Sequence, residues 1–182
     1  VYDNPLKYWD FITNPNDSDV EDQFFDRKEF GGEKMSKHVQ KAVSAFGNSN
    51  KNGGLLILGI SAIGIVKGVK HIPESTRNGC TNLDVLLRNH GGIVSSFDCT
   101  NQEGKPDQII LIYSGYVPNS ICESLDKKAW VRSCAQSNPM SDEVKEQIKR
   151  DKGITDFERA KCCPFEESEV DVDILNQFKE SE

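Results

Sequence analysis

EKMSKHVQKAVSAFGNSNKNGGLLILGISAIGIVKGV, residues Glu33 to Val69, is the stretch around which the rest of the chain has to be arranged. Its first half spaces Met35, Val39, Ala42, Val43 and Phe46 at the intervals by which an amphipathic helix covers a core. The helix is expected to run out in Gly47-Asn48-Ser49-Asn50. Asn52-Gly53-Gly54 then releases Leu55 to Ile60, a run too short for a membrane span and apolar enough for a central strand buried on both faces. A second β-rich run, Ile63 to Val69, follows a tight Ser61-Ala62 connection, so the order predicted is helix, Gly-rich turn, hairpin. The turn, with Asn48 before it and Gly53 and Gly54 within it, is expected to expose backbone that a bulky side chain would cover.

Upstream, Asn4-Pro5 opens a short helical segment, Leu6 to Ile12, followed by a loop from Asn14 to Asp19. Val20 to Phe30 is rich enough in aromatics for a strand, in which Phe24, Asp26 and Lys28 face one way and Phe25, Arg27 and Glu29 the other. Downstream, Ile72 to Thr81 reads as loop, and Asn82 as the N-cap of a helix carrying Leu83, Leu86 and Leu87. Strands are expected at Ile93 to Phe97 and Gln108 to Tyr113. The second is apolar without alternation, hence central. A last strand, Lys128 to Ser133, places Arg132 on the face of Trp130. Ser141 caps a helix from Asp142 to Lys152, acidic in its first turn and basic in its last, as the helix dipole favours. Asp171 to Phe178 closes the chain as an amphipathic helix. Helices and strands are interspersed without strict alternation, so the fold class is α+β, a mixed β-sheet flanked by helices.

A chain of 182 residues suits one domain. The organisation expected is an acidic arm over 1–19, a domain over 20–153 and an acidic extension over 154–182. No apolar run reaches the roughly 18 residues that would argue for a membrane span, and no basic-then-apolar start suggests a signal peptide. The six cysteines include no CxxC pair, which points to reduced thiols and an intracellular, cytoplasmic setting.

The net charge of −7 is unevenly spread. Residues 1–26 hold one Lys or Arg against seven Asp or Glu, residues 27–71 hold eight against two, and residues 154–182 hold three against nine. A basic segment between acidic arms can attract phosphate even on an acidic molecule, because physiological salt confines each field to about 8 Å. Lys34, Lys37 and Lys41 share one helix face by their spacing. The phosphate-loop and dinucleotide patterns GxxxxGK[ST] and GxGxxG are absent, and His38, His71 and His90 have no metal-ligand spacing. Trp9 and Trp130 read as core anchors.

Four pieces in order resemble one family. They are Glu21-x4-Asp26-x-Lys28, then Ala42 to Asn48, then Gly53 to Ile60 with Gly64 to Val69, then Ala129 to Ser133 followed by Pro139-Met140-Ser141. Together they resemble the Schlafen AlbA-type domain, also described as a divergent AAA or DNA-binding domain, over about residues 20–153. The resemblance implies a Schlafen/AlbA-like core and a nucleic-acid-binding module of the kind found at the front of transcriptional regulators. Animal relatives use the same core as an RNA endonuclease with three carboxylates. Two of these map to Glu21 and Asp26; the third maps to Ser61 or Ala62, neither an acid. Cys162-Cys163 matches part of a zinc site of some relatives, whose His-x-Cys is missing here.

The reading favoured is a module that contacts the DNA or RNA phosphate backbone through Arg27, Lys28, Lys34, Lys37, Lys41 and Lys67, with no metal or other cofactor. One alternative is a metal-dependent ribonuclease using Glu21 and Asp26 with Mg²⁺ or Mn²⁺, Lys28 steadying the scissile phosphate. Another is a protein interaction domain in which the acidic arms meet the basic helix. Homo-oligomerisation and further domains after Glu182 are left open.

Overall fold

The fold is known from a computed structural model that describes residues 5–15, 22–31 and 34–154. Its frame is a mixed sheet of β1 (Phe25–Lys28), β2 (Gly54–Leu58), β5 (Pro106–Gly115) and β4 (Gly91–Thr100), in the spatial order β1-β2-β5-β4. β1 runs parallel to β2, with Asp26 opposite Leu56, and the other neighbours are antiparallel. Between β1 and β2 the chain crosses over through α2 (Met35–Ser49). Three shorter helices are α1 (Trp9–Ile12), which follows a 3₁₀ turn at Pro5–Tyr8, α3 (Glu74–Thr81) and α4 (Leu83–Leu86). Two small ribbons complete the body, one of β3 (Leu87–Arg88) with β6 (Glu123–Ser124), the other of β7 (Trp130–Ser133) with β8 (Gln136–Pro139). The described chain ends on α5 (Asp142–Asp151). The class is α+β, as the sequence pattern implied.

The alternation of β2 explains why its sequence is apolar throughout. Leu56 and Leu58 face Val39, Val43 and Phe46 of α2, with Ile110 and Ile112 of β5 beside them. Leu55 and Ile57 face the other way, toward Ile12, Phe25, Ile109 and Leu111, where α1 covers the sheet. Both faces are therefore dry, the condition that makes a strand lose its polar alternation. Strand β4 has β5 on one side only, and its exposed Ile93 and Val94 mark the sheet edge.

Several elements differ from expectation. Residues 63–69 form no strand. A single bridge joins Ile60 to Val66, and Gly64 and Gly68 take φ of +77° and +73°, which break an extended run. The Asp107 carboxylate instead receives the N–H groups of Val69 and Lys70, both at 2.9 Å, and folds this segment against β5. The hairpin in this sheet is β4–β5. Residues 74–81, expected as loop, are helix α3, started by Pro73 and held by the buried Cys80. The helix expected through Leu87 is a single turn that passes into β3. Helix α2 continues through Gly47 and Asn48 to Ser49. Helix α5 is capped by Ser141, whose Oγ accepts from Val144 N at 3.3 Å. The closing helix expected at Asp171–Phe178, and Cys162-Cys163, lie outside the described residues. Among the described residues no helix is long and apolar enough to cross a membrane.

Candidate nucleic-acid interface

The basic face of α2 looks across a cleft to the β7–β8 ribbon. Ser44 and Asn48, one helical turn apart, hold the two together. Ser44 Oγ accepts from Trp130 N at 3.1 Å and donates to Cys122 O at 2.7 Å. Asn48 donates to Cys122 O at 2.8 Å and to Trp130 O at 3.2 Å, and accepts from Cys122 N at 2.9 Å. These bonds satisfy main-chain groups of Cys122 and Trp130 and tie the ribbon to α2. Asn48 is thus a buried clamp, not the exposed loop residue expected of it. Gly53 and Gly54 are buried as well: a Cβ on Gly53 would sit 2.5 Å from Ser114 O, and one on Gly54 would strike the Phe46 ring. Their lack of side chain admits close packing and does not offer backbone to a ligand.

The cleft has a volume of about 290 Å³ and is lined by Asp26, Lys28, His38, Lys41 and Arg132, with Gln136 to Asn138 opposite. Its floor is an ion-pair chain. Lys28 Nζ lies 2.9 Å from Asp26 Oδ1, close but poorly aligned for a hydrogen bond, and Arg132 Nη1 lies 3.3 Å from Oδ2. The Arg132 side chain is 1% exposed. It also donates to Asp22 O at 2.8 Å, Phe25 O at 3.1 Å and Ser137 Oγ at 3.2 Å, and its guanidinium stacks 5.1 Å above the Phe46 ring. Arg132 and Trp130 share the buried face of β7, as expected. Partial burial, then Lys28 and Lys41, hold the His38 imidazole below its ordinary pKa against the pull of Asp26.

Lys41 and Ser137 also line a second recess of about 390 Å³ that continues the cleft toward α5. Its apolar lining is Ala129, Trp130, Pro139 and Met140, and its charged lining includes Lys127, Lys128 and Lys145. Lys128 pairs with Asp126 at 2.6 Å and Lys145 with Glu123 at 2.5 Å. At the far end of α2 the Lys152 ammonium meets four oxygens, Val117 O at 2.7 Å, Ser120 O at 3.0 Å, and Gly47 O and Asn48 Oδ1 both at 3.4 Å. Burial brings its pKa down to about 8.

Of the residues expected to meet phosphate, Lys28 and Lys41 line the cleft. Lys34, at the exposed N-cap of α2, adds to the field on His38. Lys37 is exposed on α2 beside them. One residue is corrected and one lies outside the cleft lining. Arg27 is fully buried, donating to Ile12 O at 3.0 Å and Ala62 O at 2.5 Å, because its face of β1 is the one that α1 covers. Lys67 does not line the cleft; it lies on the turn near Glu103, its N–H donating to Gly59 O at 2.9 Å. Lys127 and Lys128 were missed; a lysine doublet directly before the Trp130 strand was the available signal.

Glu21 lies outside the described residues, and Ala62 is exposed while Ser61 is buried. Divalent cations of the Mg²⁺ type need several carboxylate or other oxygen ligands free to turn toward the ion. Asp26 carries a cation against each oxygen, and no three His, Cys, Asp or Glu side chains converge among the described residues. As placed, Asp26 is committed to Lys28 and Arg132.

Among solved structures, the chain resembles the crystal structure of the DIP2311 protein from Corynebacterium diphtheriae, at 19% identity and a TM-score of 0.46. The similarity covers 65% of this chain and 25% of that one, so this chain spans about a quarter of that protein's length. No match is found among curated proteins. Residues 21–141, more than half of the chain and all of the cleft apart from the rim at Asp142 and Lys145, match the family described as Schlafen, AlbA_2. The chain belongs to the Schlafen AlbA_2 family.

Proposed function

We propose that this domain binds nucleic acid through the phosphate backbone, along the cleft between α2 and the β7–β8 ribbon, as part of an intracellular regulator. Membership of the Schlafen AlbA_2 family supports a nucleic-acid-related role in general terms. The observation that carries the reading is the placement of Lys28, Lys41, Lys127 and Lys128 around one continuous depression in a protein of net charge −7. Lys28 and Lys128 each share their charge with an acid, Asp26 at 2.9 Å and Asp126 at 2.6 Å, so the local positive field rests mainly on Lys41 and Lys127, and acids more than about 8 Å away are screened from it. Such contacts supply affinity and salt dependence and carry no sequence information. The intracellular setting is supported by Cys80, Cys99, Cys122 and Cys134, all free thiols.

The test is a salt titration of binding to labelled single-stranded RNA and duplex DNA, with and without Mg²⁺ or Mn²⁺, the same samples being run on a denaturing gel. Binding that weakens steeply with salt is expected. Lys41→Glu combined with Lys37→Glu is expected to abolish it near physiological salt, and Lys41→Ala to reduce the logarithmic salt slope by about one. Unchanged binding by the double variant overturns this surface. Metal-dependent cleavage lost in Asp26→Ala would replace the reading with the nuclease.

A further inference from the structure

We infer that the recess beside the cleft, lined by Ala129, Trp130, Pro139 and Met140, receives one unpaired base, so that the ligand is single-stranded nucleic acid rather than duplex. The inference rests on the phosphate-binding reading above and extends it to a class of ligand. Three observations support it. The recess opens directly from the cleft, with which it shares Lys41 and Ser137, so a strand lying on Lys41 passes its mouth. Its chemistry is divided: Ala129, Trp130, Pro139 and Met140 line it together with Lys41, Lys127, Lys128 and Lys145 and one acid, Asp142. A nucleotide is divided in the same way, with a flat apolar base attached to a charged phosphate. At about 390 Å³ the recess lies toward the lower end of the range for small-ligand pockets, roughly 300 to 1,000 Å³. A base stacked and paired inside a duplex cannot enter without being turned out, at a cost of a few kcal/mol. An unpaired base enters freely. Ser137 and Asp142 supply a hydroxyl and a carboxylate at the edge of the recess for the polar rim of the base.

The experiment uses the full chain carrying Trp9→Phe, so that Trp130 is its sole tryptophan. Its probes are oligo-rU, oligo-dT, the same strands with single abasic positions, and a mixed-sequence duplex. Quenching of Trp130 emission is expected with both single strands and not with the duplex. Affinity for the single strands is expected to be about tenfold or more above that for the duplex, and to fall about tenfold in Met140→Glu, the scale of one lost stacking contact. Met140→Leu keeps the apolar lining and is expected to retain binding. Equal affinity for single strand and duplex with Trp130 emission unchanged would overturn the base site while leaving the phosphate reading intact. Trp130 quenching by a synthetic peptide of residues 165–178, but by no oligonucleotide, would overturn it in favour of an acidic protein segment. Absence of binding to any nucleic acid removes both readings. RNA and DNA are separated by the ratio of the oligo-rU and oligo-dT affinities.

Discussion

Replacing Arg132 by Met tests whether the floor of the cleft is a structural support rather than a ligand contact. The side chain is 1% exposed and its guanidinium serves Asp22 O, Phe25 O, the Asp26 carboxylate and Ser137 Oγ. Methionine fills much of the same volume over Phe46 and removes every donor. Asp22 is exposed and its carbonyl can turn to water, and Phe25 O keeps the Asp22 N–H at 3.3 Å; the Asp26 carboxylate is buried and cannot turn out. Each buried acceptor left unmet costs about 1–3 kcal/mol, and breaking a buried ion pair on one side costs about 3–5 kcal/mol in all. Lys28, still 2.9 Å from Asp26, holds the loss toward the lower end. For a chain of this size the melting temperature should fall by roughly 6–20 °C. The assay is urea denaturation followed by far-UV circular dichroism, for Arg132→Met, Asp26→Ala and the double variant. The two losses should fail to add, with a coupling of about 0.5–3 kcal/mol. Additive losses, or a cost for Arg132→Met below about 1 kcal/mol, would refute the argument. So would loss of nucleic-acid binding at unchanged stability, which would make Arg132 a ligand contact.

Three further outcomes are expected. Gly54→Ala drives a methyl into the Phe46 ring and should cost about 1–3 kcal/mol by overpacking, while Phe46→Ala, which opens space, should cost about 3–5 kcal/mol; both are read from denaturation midpoints, and a neutral Gly54→Ala contradicts the packing. The His38 pKa is lowered, so the ring gains its charge only as pH falls below the ordinary value of about 6.5; acidification should then strengthen phosphate binding, and His38→Gln should abolish the increment in a titration of Kd against pH. Burial pushes the Cys122 thiol up to about 12, so in a chain with Cys162→Ser and Cys163→Ser the exposed Cys134 should react first with a maleimide, and Cys122 only on unfolding; early labelling of Cys122 by mass spectrometry would contradict its placement.

What could be read from the sequence was whatever its periodicity recorded. The stripe from Met35 to Phe46 gave α2, and the unbroken apolar runs gave β2 and β5, because both their faces are buried. The extension of α2 through Asn48 was not legible, since that turn is completed by bonds to Cys122 and Trp130, more than 70 residues away. The Ile63–Val69 run has the composition of a strand, but two glycines at positive φ and the Asp107 carboxylate override it. Helix α3 buries only Cys80, so it left almost no hydrophobic trace. Within the cleft, Lys28 and Lys41 were legible as charges before and within α2. Arg27 was misjudged because alternation along a strand says that neighbours face opposite ways and not which way is out. The far wall, with Lys127 and Lys128, depends on tertiary placement that no local pattern carries.

The four-residue strand β1 sits at the sheet edge, and its partner β2 arrives only after the long crossover through α2. The β4–β5 hairpin, by contrast, closes across a short turn and pairs ten residues on each side. Loop closure favours forming the hairpin before the β1–β2 pairing, whose partners stand 30 residues apart. The same order governs opening in the native state, where a short edge strand detaches at less cost than the centre of the sheet. Amide exchange should therefore be fast at Phe25 to Lys28 and slow at Ile109 to Ile112. The cleft then exists only as often as β1 is docked, and a ligand held there would slow exchange along that strand by the factor through which it is bound.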